Sequence, residues 1–154
     1  MEVIGLSETL AAIQQELNKK AQQAKVAVKL AGNEYKTDVQ RIAPLGHMPG
    51  LAHGDYRRSI HVQMIDEYGQ AYALVGTNKI QGKQLEFGGV IRAKNAPYLV
   101  FKTEDGNWVQ TKMVFQPGHP HFRPALDLNR NKYLQIMKGT FDRDNPPIET
   151  MGGD

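Results

Sequence analysis

Apolar residues recur at alternating steps of three and four between Leu6 and Ile42. An α-helix completes a turn in about 3.6 residues, so this spacing places them on one face of a helix. The stripe consists of Leu6, Leu10, Ile13, Leu17, Ala21, Ala24, Val28, Ala31, Tyr35, Val39 and Ile42. The pattern predicts one long amphipathic helix, which at about 1.5 Å per residue would be on the order of 50 Å long.

The local sequence indicates where this helix begins and ends. Ser7 is the expected N-cap, and Pro44 ends the helix after Ala43, because the residue before a proline avoids the helical region. Gly32 costs about 1 kcal/mol relative to alanine inside a helix, which predicts a bend or a break there. Alanines toward the middle of the stripe would let another backbone approach closely. We therefore expect the stripe to cover a sheet, to contact another subunit, or both.

The segment after the helix, residues 44–55, is dense in proline and glycine and predicts an exposed loop. His47 and His53 lie in it and are expected to face solvent. A loop of this composition buries too little on its own domain to offset the entropy lost on ordering. We expect it to become ordered only against a neighbouring subunit.

Two β-hairpins are predicted after this loop. In the first, apolar and polar residues alternate in two strands on either side of a turn at residues 66–70. Its inward positions are Ile60, Val62 and Met64 in one strand and Ala71, Ala73 and Val75 in the other. In the second hairpin, residues 98–101 pair with residues 108–115 across a turn at residues 104–107.

A single helical turn is predicted between the two hairpins, because Ile80, Gln84 and Phe87 have helical spacing and two glycines follow. The Phe87 ring is expected to plug the core of the sheet. Glu86 is a glutamate without a paired carboxylate. We expect it to cap a helix or to form a salt bridge rather than to act as a buried general acid.

The last predicted helix begins near Pro124, since proline suits the first helical position, and ends near residues 139–141. Its inward face is expected to consist of Ala125, Leu128, Ile136, Met137 and Phe141. Residues 142–154 contain two prolines and two glycines and little to bury. They are predicted to form a flexible C-terminal tail.

Together these elements predict an α+β protein: a long N-terminal helix packed on a small, mostly antiparallel sheet of hairpins, with a C-terminal helix and a flexible tail. A chain of 154 residues is long enough for one domain, assigned here to residues 1–141. It contains no cysteine, which excludes disulfides, thiol nucleophiles and cysteine metal sites. No apolar run approaches the ~18 residues of a membrane span, so no membrane association is expected.

The chain offers few residues for chemistry. Its net charge of +3, with 23% charged residues, does not by itself indicate a nucleic-acid-binding protein. His119 and His121 are spaced as two ligands on one side of an extended segment, and Asp127 follows, which leaves a histidine-metal hydrolase as one alternative. No HExxH, EF-hand, GxSxG or phosphate-binding glycine loop occurs. We expect no catalytic residue, no metal and no cofactor.

Several short runs resemble a known family in their residues and in their order. They are Arg58-Ser59-Ile60 after the loop, Tyr72-Ala73, Leu85-Glu86-Phe87-Gly88-Gly89 and Phe122-Arg123-Pro124-Ala125-Leu126. Over about residues 5–141 the chain is similar to the neck or tail-completion family of tailed bacteriophages, which includes tail components of HK-type siphophages and relatives of minor tail protein Z. It departs from the family in the His119-Pro120-His121 run before Phe122, and in a longer second hairpin.

The resemblance implies a structural virion protein without catalysis, located in the neck or tail and assembled in the host cytoplasm. It implies a homo-oligomeric ring, six-fold or twelve-fold, that contacts the head-tail connector and the tail terminator or tube proteins. The candidate ring-contact residues are Leu51, Tyr56, Arg57, Arg58, Glu86, Phe87, Gly88, Phe122, Arg123 and Pro124. Basic residues such as Arg57, Arg58, Lys79 and Lys83 could then face a channel and contact passing DNA transiently. The alternative for Lys79 and Lys83, which we favour slightly, is that they are surface lysines without such a role.

A second alternative is a small basic module that binds nucleic acid as a monomer or a dimer. Tyr56, Arg57 and Arg58, together with an exposed Trp108, would stack on bases and pair with phosphates. Such a module would show salt-sensitive binding as free protein, whereas a hydrolase would hold metal after purification. The ring interpretation predicts neither property.

Overall fold

The computed structural model describes residues 5–45, 54–67, 69–103 and 105–144. Leu51, His47, His53 and the tail beyond residue 144 lie outside the described residues. In chain order the elements are α1 (Leu6–Ile42), α2 (Asp55–Ser59), β1 (Ile60–Glu67), β2 (Gln70–Thr77), α3 (Gly82–Phe87), β3 (Gly89–Arg92), β4 (Leu99–Lys102), β5 (Trp108–Thr111), β6 (Met113–Gln116) and α4 (Phe122–Asp144). The protein is α+β, with a long N-terminal helix, antiparallel hairpin strands and a C-terminal helix, which confirms the predicted fold class.

Helix α1 has the bounds that its apolar period predicts, Leu6 to Ile42. It runs through Gly32 without interruption, so the predicted break is wrong. Ser7 lies inside the helix rather than at its N-cap, because the helix begins at Leu6. The preceding residue, Gly5, has a φ of 96°, which lies outside the helical region. The Gly5 carbonyl accepts both the backbone N–H and the hydroxyl of Thr9, at 3.0 and 2.8 Å.

The contacts divide the chain into two compact units. The first comprises residues 1–38, 61–76 and 126–154, and contains most of α1, of the β1–β2 hairpin and of α4. The second comprises residues 39–60 and 77–125, and contains α2, α3 and the four strands β3 to β6. Each unit has its own buried residues, which are described separately below.

In the first unit, small residues of α1 face the β1–β2 hairpin. Ala27 and Ala31 are buried, and a Cβ added to Gly32 would lie 2.6 Å from Cβ of Ala73 and 3.3 Å from Cγ1 of Val62. The helix backbone therefore lies directly against the hairpin at Gly32, a residue outside the predicted stripe, and of the two buried alanines only Ala31 belongs to that stripe. A larger side chain at position 32 would force the two elements apart.

A buried carboxylate links α1 to α4 within the first unit. Although it lies outside the predicted apolar stripe of α1, Asp38 is buried and accepts hydrogen bonds from Tyr133 Oη at 2.9 Å and Lys132 Nζ at 3.1 Å. Lys132 also pairs with Glu34 at 2.5 Å, and these contacts, first with Glu34 and then with Asp38, raise the pKa of Lys132. Burial, and then the hydrogen bond to Asp38, raise the pKa of Tyr133.

In the second unit, the predicted long strand at residues 108–115 is two strands with different partners. β5 pairs antiparallel with β4, whereas β6 pairs antiparallel with β3. Lys112 separates them, and the Thr111 hydroxyl donates to the carbonyl of Met113 at 2.8 Å across this interruption. The second hairpin is therefore confirmed but is longer and is broken into two ladders.

Helix α4 differs from its prediction at both ends. It begins at Phe122, so Pro124 is its third residue, a position where no intrahelical N–H bond is lost because the first four amides have no helical acceptor. It continues through Gly139 to Asp144, beyond the predicted end at residues 139–141. Leu128 was expected to face inward, but it is exposed. Among the described elements, neither this helix nor any other is long and apolar enough to cross a membrane.

The close contact at Gly32 predicts opposite effects for alanine at two helical glycines. Gly139→Ala in α4 adds a methyl group with no atom within 4 Å, so it should raise the free energy of unfolding by up to about 1 kcal/mol. Gly32→Ala gains the same helix propensity but overpacks against Ala73, which costs about 1–3 kcal/mol, so a net loss of stability is expected. Urea unfolding measures both, and Ala73→Gly should rescue Gly32→Ala. Equal stabilisation by the two substitutions would contradict this packing.

Candidate functional site

Three polar side chains meet in the interior of the second unit. The ring of His121, which has 0% exposure, lies directly before α4, and its Nε2 is 2.7 Å from Oη of Tyr56 in α2. Its Nδ1 is 3.0 Å from Oε2 of Glu86 in α3 and 2.7 Å from the carbonyl of His119. We call these three side chains, Tyr56, Glu86 and His121, the polar cluster.

The geometry of the cluster accounts for its hydrogens. Nδ1 of His121 faces two oxygen acceptors, so it carries a hydrogen. In the tautomer whose Nε2 carries none, this nitrogen accepts the hydrogen of the Tyr56 hydroxyl. Burial, and then the nearby charge of Glu86, raise the pKa of Tyr56 to about 12, so the phenol keeps its proton well into the alkaline range. Every hydrogen in the cluster has an acceptor.

Glu86 also caps helix α4. Its carboxylate accepts the backbone N–H groups of His121 at 2.8 Å, Phe122 at 3.2 Å and Arg123 at 3.4 Å. The first amides of a helix have no intrahelical acceptor and carry partial positive charge, so an anion placed there satisfies and stabilises them. The prediction that Glu86 caps a helix is confirmed, with the cap provided from a distant position in the sequence.

The cluster brings together the two longest runs that carried the family resemblance. Gly88 is the C-cap residue that follows α3. Its φ is 69°, and an added Cβ would lie 2.5 Å from the backbone nitrogen of Gly118. The backbone N–H of His119 donates to the carbonyl of Leu85 at 2.6 Å. Residues 85–89 and 122–126 thus belong to one structural motif, in which glycine is needed at position 88 for both φ and space.

Phe87 does not plug the sheet. Its side chain is 77% exposed, so the expectation of a core role is wrong. Consecutive residues of this short helix point in different directions, and the buried one is Glu86, which the polar cluster requires. Helical spacing alone did not distinguish the two. Of the candidate ring-contact residues in the run 122–126, Phe122 and Pro124 are half-buried, whereas Arg123 is exposed.

Tyr56, Arg57 and Arg58 do not form the stacking surface that nucleic-acid binding would require. Tyr56 is buried in the polar cluster. Arg57 donates from Nε to the carbonyl of Ala43 at 2.5 Å, and its own carbonyl accepts from Gln40. Arg58 forms an ion pair with Asp55. These side chains hold α2 in place within the second unit.

The structure also bears on the proposed histidine-metal site. Both ring nitrogens of His121 already have hydrogen-bond partners in the cluster, and the ring is closed to solvent. A search of the described residues finds no group of three His, Cys, Asp or Glu side chains that could hold a metal ion. His121 is therefore used for packing and hydrogen bonding rather than presented as a ligand.

Apolar surface is exposed along the first half of α1. Leu6, Leu10, Ile13 and Leu17 lie on one face and are 52–64% exposed. We call them the N-terminal stripe. Single exposed apolar residues are ordinary, but four on one face over three turns form a contiguous patch of the kind that marks an interaction site. The apolar period of the sequence predicts the stripe, but only the structure shows that this half of it is uncovered.

A second exposed apolar surface lies on the strands of the second hairpin. Residues opposite each other in an antiparallel ladder share a face, which groups Val90 with Phe115 and Arg92 with Met113 on β3–β6. It likewise groups Lys102 with Trp108 on β4–β5, and Val100 shares that face. All seven side chains are exposed, with Trp108 at 73%. We call these seven side chains, which lie on two separate two-stranded sheets, the hairpin face. Alternation in the sequence indicates shared faces, but not which face is uncovered.

Comparisons of this chain with protein-family models, with curated proteins and with solved structures gave no match.

The cap on α4 predicts that Glu86 matters more to stability than its larger neighbour. Glu86→Gln keeps the shape but removes the charge from one buried and two part-buried amide contacts, so it should lower the free energy of unfolding by about 1–3 kcal/mol. Phe87→Ala removes an exposed ring and should change it by no more than about 0.5 kcal/mol. Urea unfolding of both variants decides this, and a larger loss for Phe87→Ala would place that ring in the core.

The raised pKa of Tyr56 predicts a loss of stability at alkaline pH. Unfolded tyrosine loses its proton near pH 10, whereas Tyr56 in the folded protein keeps its proton to about pH 12. Between these values the folded state binds more protons, so stability that is fully present below pH 10 falls as the pH rises. Tyr56→Phe should flatten this decline, leaving the contribution of Tyr133. Urea unfolding from pH 9 to 12 measures it, and identical slopes in the two proteins would contradict the cluster geometry.

Proposed function

We propose that this protein is a non-catalytic structural subunit that assembles into a ring in the neck of a tailed bacteriophage, where it helps to join the tail to the DNA-filled head. The observation that carries the assembly part of this proposal is the exposed apolar surface of the N-terminal stripe and the hairpin face. Side chains of this kind are covered in a finished assembly, because leaving them in water is unfavourable.

The arrangement of the polar groups supports a role without catalysis. The buried titratable cluster of the second unit is closed to solvent, and its hydrogen bonds are internally satisfied. A general base or nucleophile must reach its substrate, and these side chains do not. Their contacts instead stabilise α2, α3 and the start of α4, which suits a subunit whose task is to keep its shape.

The phage part of the proposal rests on the family resemblance. Residues 85–89 and 122–126 are two of the short runs that resemble the family. Their direct contact around Glu86 supports the hypothesis that they form one motif. The uninterrupted α1 supplies the rigid element that a ring subunit needs. Closed rings of six or twelve copies, in contact with the head-tail connector and the tail terminator or tube, follow from the same resemblance.

The structure changes which basic residues are the better candidates for contact with passing DNA. Arg57 and Arg58 make contacts within the second unit, to Ala43 and Asp55, which makes them less suited to facing a channel. Lys79 and Lys83 are exposed and remain the better candidates for weak attraction to phosphate. Location in the virion neck, after assembly in the host cytoplasm, belongs to the same proposal.

A second candidate function is binding of single-stranded nucleic acid by the free protein. Trp108 is highly exposed and lies opposite Lys102, so a base could stack on the indole while the ammonium group meets a phosphate. In this candidate function, Trp108 and Lys102 of the hairpin face contact the nucleic acid, and the buried Tyr56 does not take part in base stacking. It requires accessible Trp108 in the working state of the protein, whereas a ring would cover that residue.

The proposed function predicts where the protein is found and what it does not bind. Immunogold labelling of virions of the encoding phage should place the protein at the head-tail junction. Extracts that lack it should accumulate unjoined heads and tails, which the purified full-length chain should convert into complete virions. Label on the capsid or on the tail tip, or full virions without the protein, would refute this function.

The two candidates are separated by fluorescence anisotropy with labelled single-stranded DNA. Free protein that binds tightly, with an affinity that falls steeply as salt rises, would favour the nucleic-acid module, and Trp108→Ala should then abolish binding. Under the neck proposal, binding is weak and Trp108→Ala impairs the joining of heads to tails instead.

A further inference from the structure

The charged residues of this chain are divided unequally between its two units. The second unit contains ten lysines and arginines but only four aspartates and glutamates, a net charge of +6. The first unit contains nine of the basic and twelve of the acidic residues, a net charge of −3. The modest charge of the whole chain, +3, is therefore the sum of a strongly basic unit and an acidic one. A partner that approaches the second unit meets the potential of its local charges.

Two of the four acidic side chains of the second unit are used inside it. Glu86 is buried and accepts the first amides of α4, and Asp55 forms an ion pair with Arg58. The other two, Glu104 and Asp105, are neighbours in sequence between β4 and β5. Folding therefore leaves neither Asp55 nor Glu86 to offset exposed basic side chains elsewhere in the unit.

Four exposed lysines of the second unit lie outside the hairpin face. We call them the lysine set: Lys79, Lys83, Lys94 and Lys112. Among the described residues, none of the four side chains forms an ion pair. Lys79 precedes α3 and Lys83 lies within it, and Glu86 anchors this helix to the start of α4. The apolar surfaces assigned above to assembly do not include these lysines.

The backbone brings two of these lysines to the same point of the second hairpin. Lys112 separates β5 from β6, and its carbonyl accepts the backbone N–H of Ala93 at 3.2 Å. Lys94 is the next residue along the chain. Like charges at neighbouring positions repel each other, and a bound anion offsets that repulsion. The interruption between the two ladders therefore places two positive charges in an arrangement that suits a phosphate group.

We propose that the second unit contacts double-stranded DNA through the phosphate groups and the lysine set, so that this unit faces the DNA that passes through the neck. This contact rests on the proposed function, which makes duplex DNA the polyanion that the subunit meets. A duplex carries one negative charge per about 1.7 Å of its axis, so every register along it offers phosphates to several lysines. Screening over about 8 Å at physiological salt keeps the attraction weak enough for DNA to move past.

The use of lysine rather than arginine favours a moving polyanion over a fixed protein partner. Protein interfaces are enriched in arginine and depleted in lysine, and the planar guanidinium group forms bidentate contacts with carboxylates. A lysine ammonium group is a strongly hydrated point charge, which binds phosphate without requiring one geometry. The arginines of α2 are instead engaged within the unit, Arg57 with the carbonyl of Ala43 and Arg58 with Asp55.

Two variants of the full-length chain with equal net charge test this contact. The second-unit variant replaces the lysine set with Lys79→Gln, Lys83→Gln, Lys94→Gln and Lys112→Gln. The control replaces four exposed basic residues of the first unit with Lys19→Gln, Lys29→Gln, Arg130→Gln and Lys138→Gln. Each variant loses four positive charges, so a difference in DNA binding reports where the charge lies. All eight positions are exposed, so both variants should fold, which circular dichroism checks.

Fluorescence anisotropy with a labelled duplex of about 25 base pairs measures binding between about 20 and 200 mM salt. The logarithm of the wild-type binding constant should fall against the logarithm of salt with a slope of about −3 to −4, as for about four phosphate contacts. The second-unit variant should bind about tenfold more weakly or worse at low salt and lose most of this slope. The control should keep the slope, and a duplex of different sequence should bind equally well.

Three results would overturn the inference. Equal losses in the two variants would mean that net charge alone governs binding. Tighter binding to polyglutamate or to vesicles of anionic lipid than to the duplex would identify an acidic protein or a membrane surface as the partner. Preference for one duplex sequence would indicate base recognition.

The joining of heads to tails by the wild type separates the two proposals. If the wild type joins them and any of these three results is found, the proposed function stands without this DNA contact. If DNA binding depends on the lysine set but the wild type does not join heads to tails, the contact is confirmed and the location in the neck is refuted.

Discussion

The carboxylate of Glu86 joins three parts of the chain that are far apart in sequence. It accepts the first amides of α4, and it faces the His121 ring, whose other nitrogen accepts from Tyr56. A buried carboxylate is tolerated only when such partners replace its lost hydration. The partners that satisfy Glu86 therefore also fix the positions of α2, α3 and the start of α4. In the described part of the second unit this group acts together with the buried apolar side chains of Val39 and Ile60.

In the first unit, close backbone packing and a second buried carboxylate hold the elements together. Small residues on α1 allow its backbone to lie against the β1–β2 hairpin, most closely at Gly32. Asp38 then links α1 to α4 through Lys132 and Tyr133, so another buried carboxylate is satisfied by specific donors. In both units, polar groups with complete hydrogen bonding define which elements meet. Such networks favour one arrangement because any shift would leave a charge unpaired in the interior.

Many of the larger apolar side chains lie on the surface rather than in the interiors of the two units. The N-terminal stripe and the hairpin face are exposed although they carry many of the larger apolar side chains of α1 and of the strands. A monomer gains nothing from presenting Trp108 and Phe115 to water, whereas an assembling subunit requires such surfaces. This contrast between the satisfied polar cluster and the uncovered apolar side chains supports the proposed role in assembly.

The sequence by itself determined the elements and their order, because periodicity and turn chemistry are local. It predicted the bounds of α1, both hairpins and the end of α3 before Gly88, and it left Glu86 as either a helix cap or a salt-bridge partner. Only the tertiary structure decided which faces are buried, since burial depends on what packs opposite. It exposed Phe87, buried Asp38 and divided residues 108–115 between two partner strands. The helix cap of α4 likewise comes from a residue 35 positions before His121, a distance that no local pattern can span.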